Sequence, residues 1–223
     1  VHVIVPDIGD DAELDAVAAA MAAADLIRVS GGSAGLARSL AQSDESTSDP
    51  AFEVRKTSNI VSIIGTPMEH TQQQVLHAAD AIPLDQITLG SATANLATVI
   101  SAIHAAWASG RVALVDAVIK SAAPTARQQD DQEMLVANFI GELLRTSPIF
   151  GLVVSGGDTA RAAFSGIGSG AIELAGEIGW GVPYGAFSFG GPAAGYPLAT
   201  KAGIMGSLTA LPDAFRIIGR FSS

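Results

Sequence analysis

Two hydrophobic rhythms alternate along the chain. Val1–Val5, Leu26–Val29, Ile60–Ile64, Val112–Val115 and Gly151–Val154 are short, nearly continuous apolar runs, which read as buried strands. Leu84–Leu89 joins them, interrupted by Asp85 and Gln86. Between these runs, apolar residues recur at helical spacing: Leu14, Val17, Ala18 and Met21, then Leu36–Ala41, Thr71–Ala79, Ala92–Ser109 and Asp131–Arg145. Asp10, Asp11 and Glu13 mark the start of the first of these helices, and Gly110 the end of the fourth. Beyond Phe164 the rhythm fades into a glycine-rich stretch reaching Gly206, and a short helix around Pro212–Ile218 closes the chain. The alternation predicts an α/β fold: three layers, with a Rossmann-like, mostly parallel sheet and helices on both faces.

The polar, acidic run Ser43-Asp44-Glu45-Ser46-Thr47-Ser48-Asp49-Pro50 breaks the alternation and reads as a linker. It divides the chain into 1–42, a connecting segment 43–59 and a main domain 60–223. A chain that opens on Val1, inside a strand-like run, reads as a piece of a longer polypeptide.

Composition narrows the function. There is no cysteine, which removes disulfides, thiol catalysis and thiolate metal sites. A net charge of −10 opposes binding along a nucleic-acid backbone but still allows a local site for a small anion. No apolar run approaches the roughly 20 residues that span a bilayer, so no membrane partner is expected. Homo-oligomerisation is left open.

Three glycine turns follow strand-like runs: Gly32-Ser33-Ala34-Gly35, Gly65-Thr66-Pro67 and Gly156-Gly157-Asp158-Thr159. In an open parallel sheet, ligands bind outside the carboxyl ends of the strands, and glycine lets the backbone approach them. Gly156-Gly157-Asp158-Thr159 opens a helix, whose free N–H groups suit phosphate; alternatively, Asp158 only caps that helix. Lys201, beside Gly203 and near an expected helix start, offers a counter-charge, unless it is simply a solvated lysine next to a turn. Other motifs fail. There is no Gly-Lys-Ser/Thr phosphate loop, and Gly166-Ile167-Gly168-Ser169-Gly170 follows a helix and reads as its terminator. Gly31-Gly32-Ser33-Ala34-Gly35 matches a nucleophile elbow, but no histidine follows His104 to complete a triad. His70 and His77 read as exposed helix positions, and Trp180 as a packing residue.

Ser155-Gly156-Gly157-Asp158-Thr159-Ala160, Gly176-Glu177-Ile178, Gly181-Val182-Pro183 and Lys201-Ala202-Gly203, in this order, resemble segments of the four-carbon acid sugar kinases. Gly65-Thr66-Pro67 with Thr71 and Gln74 is similar to that family's Gly-Ser-x-x-x-x-Thr-x-x-Gln segment, and Gly32–Ala37 to the close of its first domain. The resemblance implies a cytoplasmic, bacterial enzyme that uses ATP and Mg²⁺ to phosphorylate a tetronate or 3-oxo-tetronate. Residues 1–42 would be the tail of a sugar-acid-binding domain, and 60–223 the nucleotide-binding domain. The family's Asp-Asp-x-Thr-Gly signature is absent, so the sugar acid would bind through a missing N-terminal domain. By position, Thr66, Gly156, Gly157, Asp158, Thr159 and Gly203 would contact the nucleotide, with Lys201 as an additional charge and Asp158 as the Mg²⁺ ligand. Thr66 replaces the usual serine, and Ile204 and Met205 depart from the family pattern. No catalytic residue is assigned. The alternative from a different class is a noncatalytic α/β module for nucleotide sensing or subunit association.

Overall fold

The computed structural model describes residues 3–42, 52–90, 95–119, 121, 123–168, 171–188 and 191–221. The chain separates into two compact units, residues 1–49 and 50–223. The polar stretch 43–50 lies outside the described residues, as do Val1 and His2.

The first unit is a pair of packed helices, α1 (Asp11–Ala23) and α2 (Ala34–Gln42), with Ala18 and Ser39 buried. Asp10 caps α1 by accepting the Glu13 N–H (2.9 Å), and the Glu13 carboxylate reaches back to the Gly9 N–H (2.7 Å). Neither of the two strands expected here forms among the described residues. Residues 3–9 form no strand, and Val3, Ile4 and Val5 are at least 80% exposed. Ile27–Val29 is a single 3₁₀ turn. An apolar run specifies a strand only where a ladder and a packed face await it, and neither run has a pairing partner among the described residues of this unit.

The second unit carries a seven-stranded sheet. Its strands are β1 (Ile60–Ile64), β2 (Leu84–Thr88), β3 (Val112–Asp116), β4 (Gly151–Ser155), β5 (Ile172–Gly179), β6 (Val182–Phe187) and β7 (Pro197–Lys201). They lie in the order β2-β3-β1-β4-β7-β6-β5, the first five parallel and the last two antiparallel. The helices are α3 (Glu69–Ala81), α4 (Leu96–Ala108), α5 (Ala126–Thr146), α6 (Gly157–Ile167) and α7 (Ala210–Ile218). Alternate residues of the central strands feed two cores. Val61 and Ile63 of β1 and Leu152 and Val154 of β4 pack under α4, α5 and α6. Ile60, Ile64 and Val153 face α3 and α7. The fold is therefore the expected three-layer α/β arrangement.

Local sequence explains the boundaries. Thr125 and Gln128 form a reciprocal capping box, so α5 begins well before the expected Asp131. Asn95 caps α4 through the N–H groups of Ala97 and Thr98, while 91–94 lie outside the described residues. Gly168, at φ +71°, closes α6 in the left-handed conformation expected of a terminator.

The glycine-rich stretch conceals three strands, β5, β6 and β7. A Cβ on Gly185 would lie 2.0 Å from the Glu173 carbonyl oxygen, and one on Gly176 would lie 2.8 Å from the Tyr184 ring. Glycine here permits close packing within the β5–β6 hairpin, not flexibility. Trp180, at the hairpin tip, is 59% exposed and does not pack as expected.

One topological feature places the site. The connection leaving β1 runs through α3 toward β2, whereas that leaving β4 runs through α6 toward β5, on the opposite side of the sheet. β1 and β4 are neighbours, so their carboxyl ends flank a switch-point crevice.

Candidate functional site

At the end of β4 the chain turns on Gly156, whose φ of +115° excludes most side chains. Its N–H donates to the Lys201 carbonyl (3.0 Å) and is not free for a ligand. The first helical bond of α6 runs from the Ala160 N–H to the Gly156 carbonyl (3.0 Å). The N–H groups of Gly157, Asp158 and Thr159 precede that bond and have no partner among the described residues. Three free donors at the positive end of a helix dipole suit an anion. Asp158 does not cap α6, because the N-cap is Gly156. Its side chain is 88% exposed, 3.9 Å from the Arg161 guanidinium.

The β1 turn closes tightly on this helix. The Gly65 N–H donates to the Ser155 carbonyl (3.1 Å), and a Cβ on Gly65 would fall 1.7 Å from Thr159 Oγ1. Thr159 is thus buried against bare backbone. Thr66 accepts the Met68 N–H through its hydroxyl (3.3 Å), which holds the turn before α3. Across from it, a Cβ on Gly203 would lie 2.7 Å from Thr66 Oγ1, so this loop too needs glycine to approach.

The loop after β7 is held from behind by α3. Thr71 donates to the Gly203 carbonyl (2.6 Å), and His70 Nε2 bonds to the Gly206 carbonyl (2.8 Å). With a carbonyl as its partner, that nitrogen carries the hydrogen, and His70 is half-buried and engaged, not the exposed position expected. Gln74, fully buried, shares its amide hydrogens among the carbonyls of Met205 (3.1 Å), Gly206 (3.2 Å) and Ser207 (2.7 Å).

These turns enclose a cavity of about 620 Å³. Gly65, Thr66, Gly156, Gly157, Asp158, Thr159 and Gly203 line it, together with Ile119 and Ser121 beyond β3 and Gln129 to Val136 along α5. Six of the seven residues singled out in the sequence therefore meet at one edge. The exception is Lys201. It ends β7, is 4% exposed and does not line the cavity, so it is neither a solvated lysine nor one at a helix start. Its ammonium donates to Ser155 Oγ (3.1 Å), Thr71 Oγ1 (3.2 Å) and the Gly203 carbonyl (3.5 Å), and burial lowers its pKa to about 8. The Gly32–Gly35 turn precedes and opens α2 in the first unit.

A charged cluster on the helical wall had no local signal among the residues. Arg161 pairs with Glu133 (2.5 Å), and Asp130 lines the cavity one turn from Glu133. Arg161 could have been anticipated as the residue three positions after Asp158 on the same helix. Its pairing with α5 had no local signal.

The model of the nucleotide-binding C-terminal domain matches residues 61–211. The chain belongs to this family. The nucleotide-binding domain thus spans the whole cavity and both glycine turns. Among solved structures, a Bordetella bronchiseptica protein of the DUF1537 domain of unknown function is 24% identical, with a TM-score of 0.59, over 97% of this chain and 53% of its own. That protein is a domain-swapped dimer with bound citrate. A Haemophilus influenzae member of DUF1537 is 20% identical (TM-score 0.68, 95% and 52% covered). A Salmonella typhimurium protein described as a candidate tRNA synthase is 21% identical (TM-score 0.65, 94% and 51% covered). At these identities the likeness is one of fold. The chain spans about half the length of the solved relatives it matches. No curated protein matches it. Among the described residues, no helix is long and apolar enough to cross a membrane.

Proposed function

We propose that the chain is the ATP-binding portion of a kinase that phosphorylates a four-carbon sugar acid, a tetronate or 3-oxo-tetronate. The observation that carries this reading is the convergence of three glycine-dependent backbone approaches, at Gly65, Gly156 and Gly203, on one cavity beside the open N-terminus of α6. Family membership supplies the nucleotide; the ordered motifs supply the kinase and its substrate class.

The residues present fit such a ligand. A side chain at Gly65 or Gly203 would meet a neighbouring threonine, so bare backbone keeps both turns close. The free N–H groups of Gly157, Asp158 and Thr159 would hold phosphate oxygens, aided by the helix dipole. The Thr66 hydroxyl stands at the opposite lip. Asp158, exposed and only loosely paired, is the carboxylate suited to Mg²⁺, which takes one or two carboxylates beside phosphate oxygens. Bound ATP would supply the transferable phosphoryl group, and bound Mg²⁺ would offset its charge. The chain's own contribution is positioning and charge, which is most of what phosphoryl transfer requires. The group that takes the proton from the sugar hydroxyl is assigned to the remainder of a longer protein, as is the sugar-acid site. Cytoplasmic location and homo-oligomerisation belong to the same proposal, the latter supported by the swapped Bordetella dimer.

Calorimetric titration with ATP, ADP and Mg²⁺, followed by a phosphorylation assay on four-carbon acids, tests it. Nucleotide binding by this chain with no turnover, and turnover by a protein that also carries the sugar-acid domain, is the expected pair of results. Binding without phosphorylation of any four-carbon acid by that longer protein would favour a nucleotide-sensing module. Turnover by this chain alone would refute the assignment of the acceptor site elsewhere.

A further inference from the structure

The cavity presents an electrostatic difficulty for an anionic ligand. Among the described residues its lining carries three carboxylates, Asp130, Glu133 and Asp158, and one guanidinium, Arg161, which is already paired with Glu133. Among the described residues, the positive contributions left are the α6 N-terminus and, behind the wall, Lys201. Burying an ammonium without an acidic partner costs stability, and a fold retains such a group where it serves a site.

Lys201 has no such partner. Among the described residues its hydrogen-bond acceptors are two hydroxyls and a carbonyl, and it forms no ion pair. The described residues of the surrounding elements offer none. On α3, Glu69 accepts from Gln73, His70 is bonded to the Gly206 carbonyl, and His77 and Asp80 lie more than a turn beyond Thr71. β4 presents Ser155, and β6 carries Tyr184 as its titratable residue. Asp213 and Arg216 of α7 pair with each other (3.0 Å). Both hydroxyls and the Gly203 carbonyl belong to segments that shape the cavity's edge: Ser155 precedes Gly156, Thr71 holds Gly203, and Gly203 lines the cavity.

We propose that Lys201 is a buried counter-charge for the phosphate edge, acting through the wall and through the Gly203 turn without touching the ligand. It is a positioning residue, and the proposal rests on the reading of this cavity as a nucleotide site. An anion bound at Gly157–Thr159 and Gly203 favours the charged ammonium, so by linkage the ammonium favours the anion. Burial already brings the amine's pKa to about 8, so ligand binding draws a proton onto it just above that pH. The unliganded protein carries the complementary signature. A depressed lysine pKa means that the unfolded chain holds more protons than the folded one between about 8 and the ordinary 10.5, so folding stability rises with pH across that window. A lysine that only braced the loop would show the second effect without the first, so proton uptake on binding is the discriminating one.

The test is calorimetric titration of the full chain with Mg²⁺-ATP from pH 7 to 9.5, in paired buffers of different ionisation heat. It is run on wild type, Lys201→Met and Ser155→Ala. The expected result is proton uptake by wild type near pH 8.5, with affinity falling roughly tenfold across the range. Lys201→Met takes up no proton, binds more weakly at pH 7 and loses the pH slope; its unliganded Tm gains on wild type as pH falls from 10.5 to 8. Should Lys201→Met fail to fold, Ser155→Ala retains the lysine but strips one acceptor from the ammonium, and uptake then moves to lower pH. Wild type that binds ATP with no proton uptake, or a Ser155→Ala profile identical to wild type, overturns the counter-charge and leaves the nucleotide site standing. Absence of ATP binding by wild type at every pH overturns both.

Discussion

Two turns flank the carboxyl end of β4, and they are built on opposite principles. The turn at Gly156–Thr159 works by what it leaves open: three N–H groups without partners and an exposed Asp158. The loop from Ala202 to Ser207 works by what is closed behind it. Its carbonyls are taken by Thr71, His70 and Gln74, so its glycine face is held toward the cavity. An anion site needs both kinds of construction. Unsatisfied donors supply attraction, and a satisfied scaffold stops them from collapsing onto other oxygens.

The comparison breaks most severely where the two constructions meet. Gly65→Ala forces a Cβ into Thr159 Oγ1 and into the Thr159 Cβ and Cγ2, at 2.8 and 2.9 Å, so the start of α6 must move. A loss of about 3 kcal/mol in chemical denaturation is expected, with partial recovery in the double variant with Thr159→Ala. Next in size is Gln74→Leu, which strips a buried donor from three loop carbonyls. It should cost about 2–3 kcal/mol and weaken nucleotide binding as well, because the pinned loop is freed. Asp158→Asn on the open turn has the smallest effect on folding. Stability should stay within about 0.5 kcal/mol of wild type, while the gain in ATP affinity on adding Mg²⁺ disappears. If Asp158→Asn instead lowered stability as much as Gln74→Leu, the distinction between an open and a pinned turn would be wrong.

Much of this was readable from residues. Ile60–Ile64, Val112–Val115 and Gly151–Val154 are strands in the sheet, and the two glycine turns after β1 and β4 converge as their position at strand ends implies. Equally apolar runs at Val3–Val5 and Leu26–Val29 are not strands, because periodicity reports burial preference and not the presence of a partner. Lys201 stands out in the sequence as a counter-charge or a solvated lysine, and it is in fact buried. Its burial depends on Ser155 and Thr71, which are 46 and 130 residues away, and no local window contains that information. Thr71 and Gln74 were visible as a spacing, and their donation to the loop after β7 gives that spacing a physical reason. The Arg161–Glu133 pair depends on the packing of α6 against α5, which the sequence does not display.

The open turn also offers the most direct test of the central claim. Gly157 is the first residue of α6, a Cβ there would meet nothing within 4 Å, and Gly156 before it has ψ 133°. Proline is therefore tolerated at 157, and it removes one N–H from the cavity while leaving the helix intact. Mg²⁺-ATP affinity should be measured by calorimetry for wild type, Gly157→Ala and Gly157→Pro. Wild type and Gly157→Ala should bind alike and Gly157→Pro roughly tenfold or more weakly, at unchanged stability. Equal affinity for all three, or no binding by wild type at millimolar nucleotide, would contradict phosphate binding at this helix.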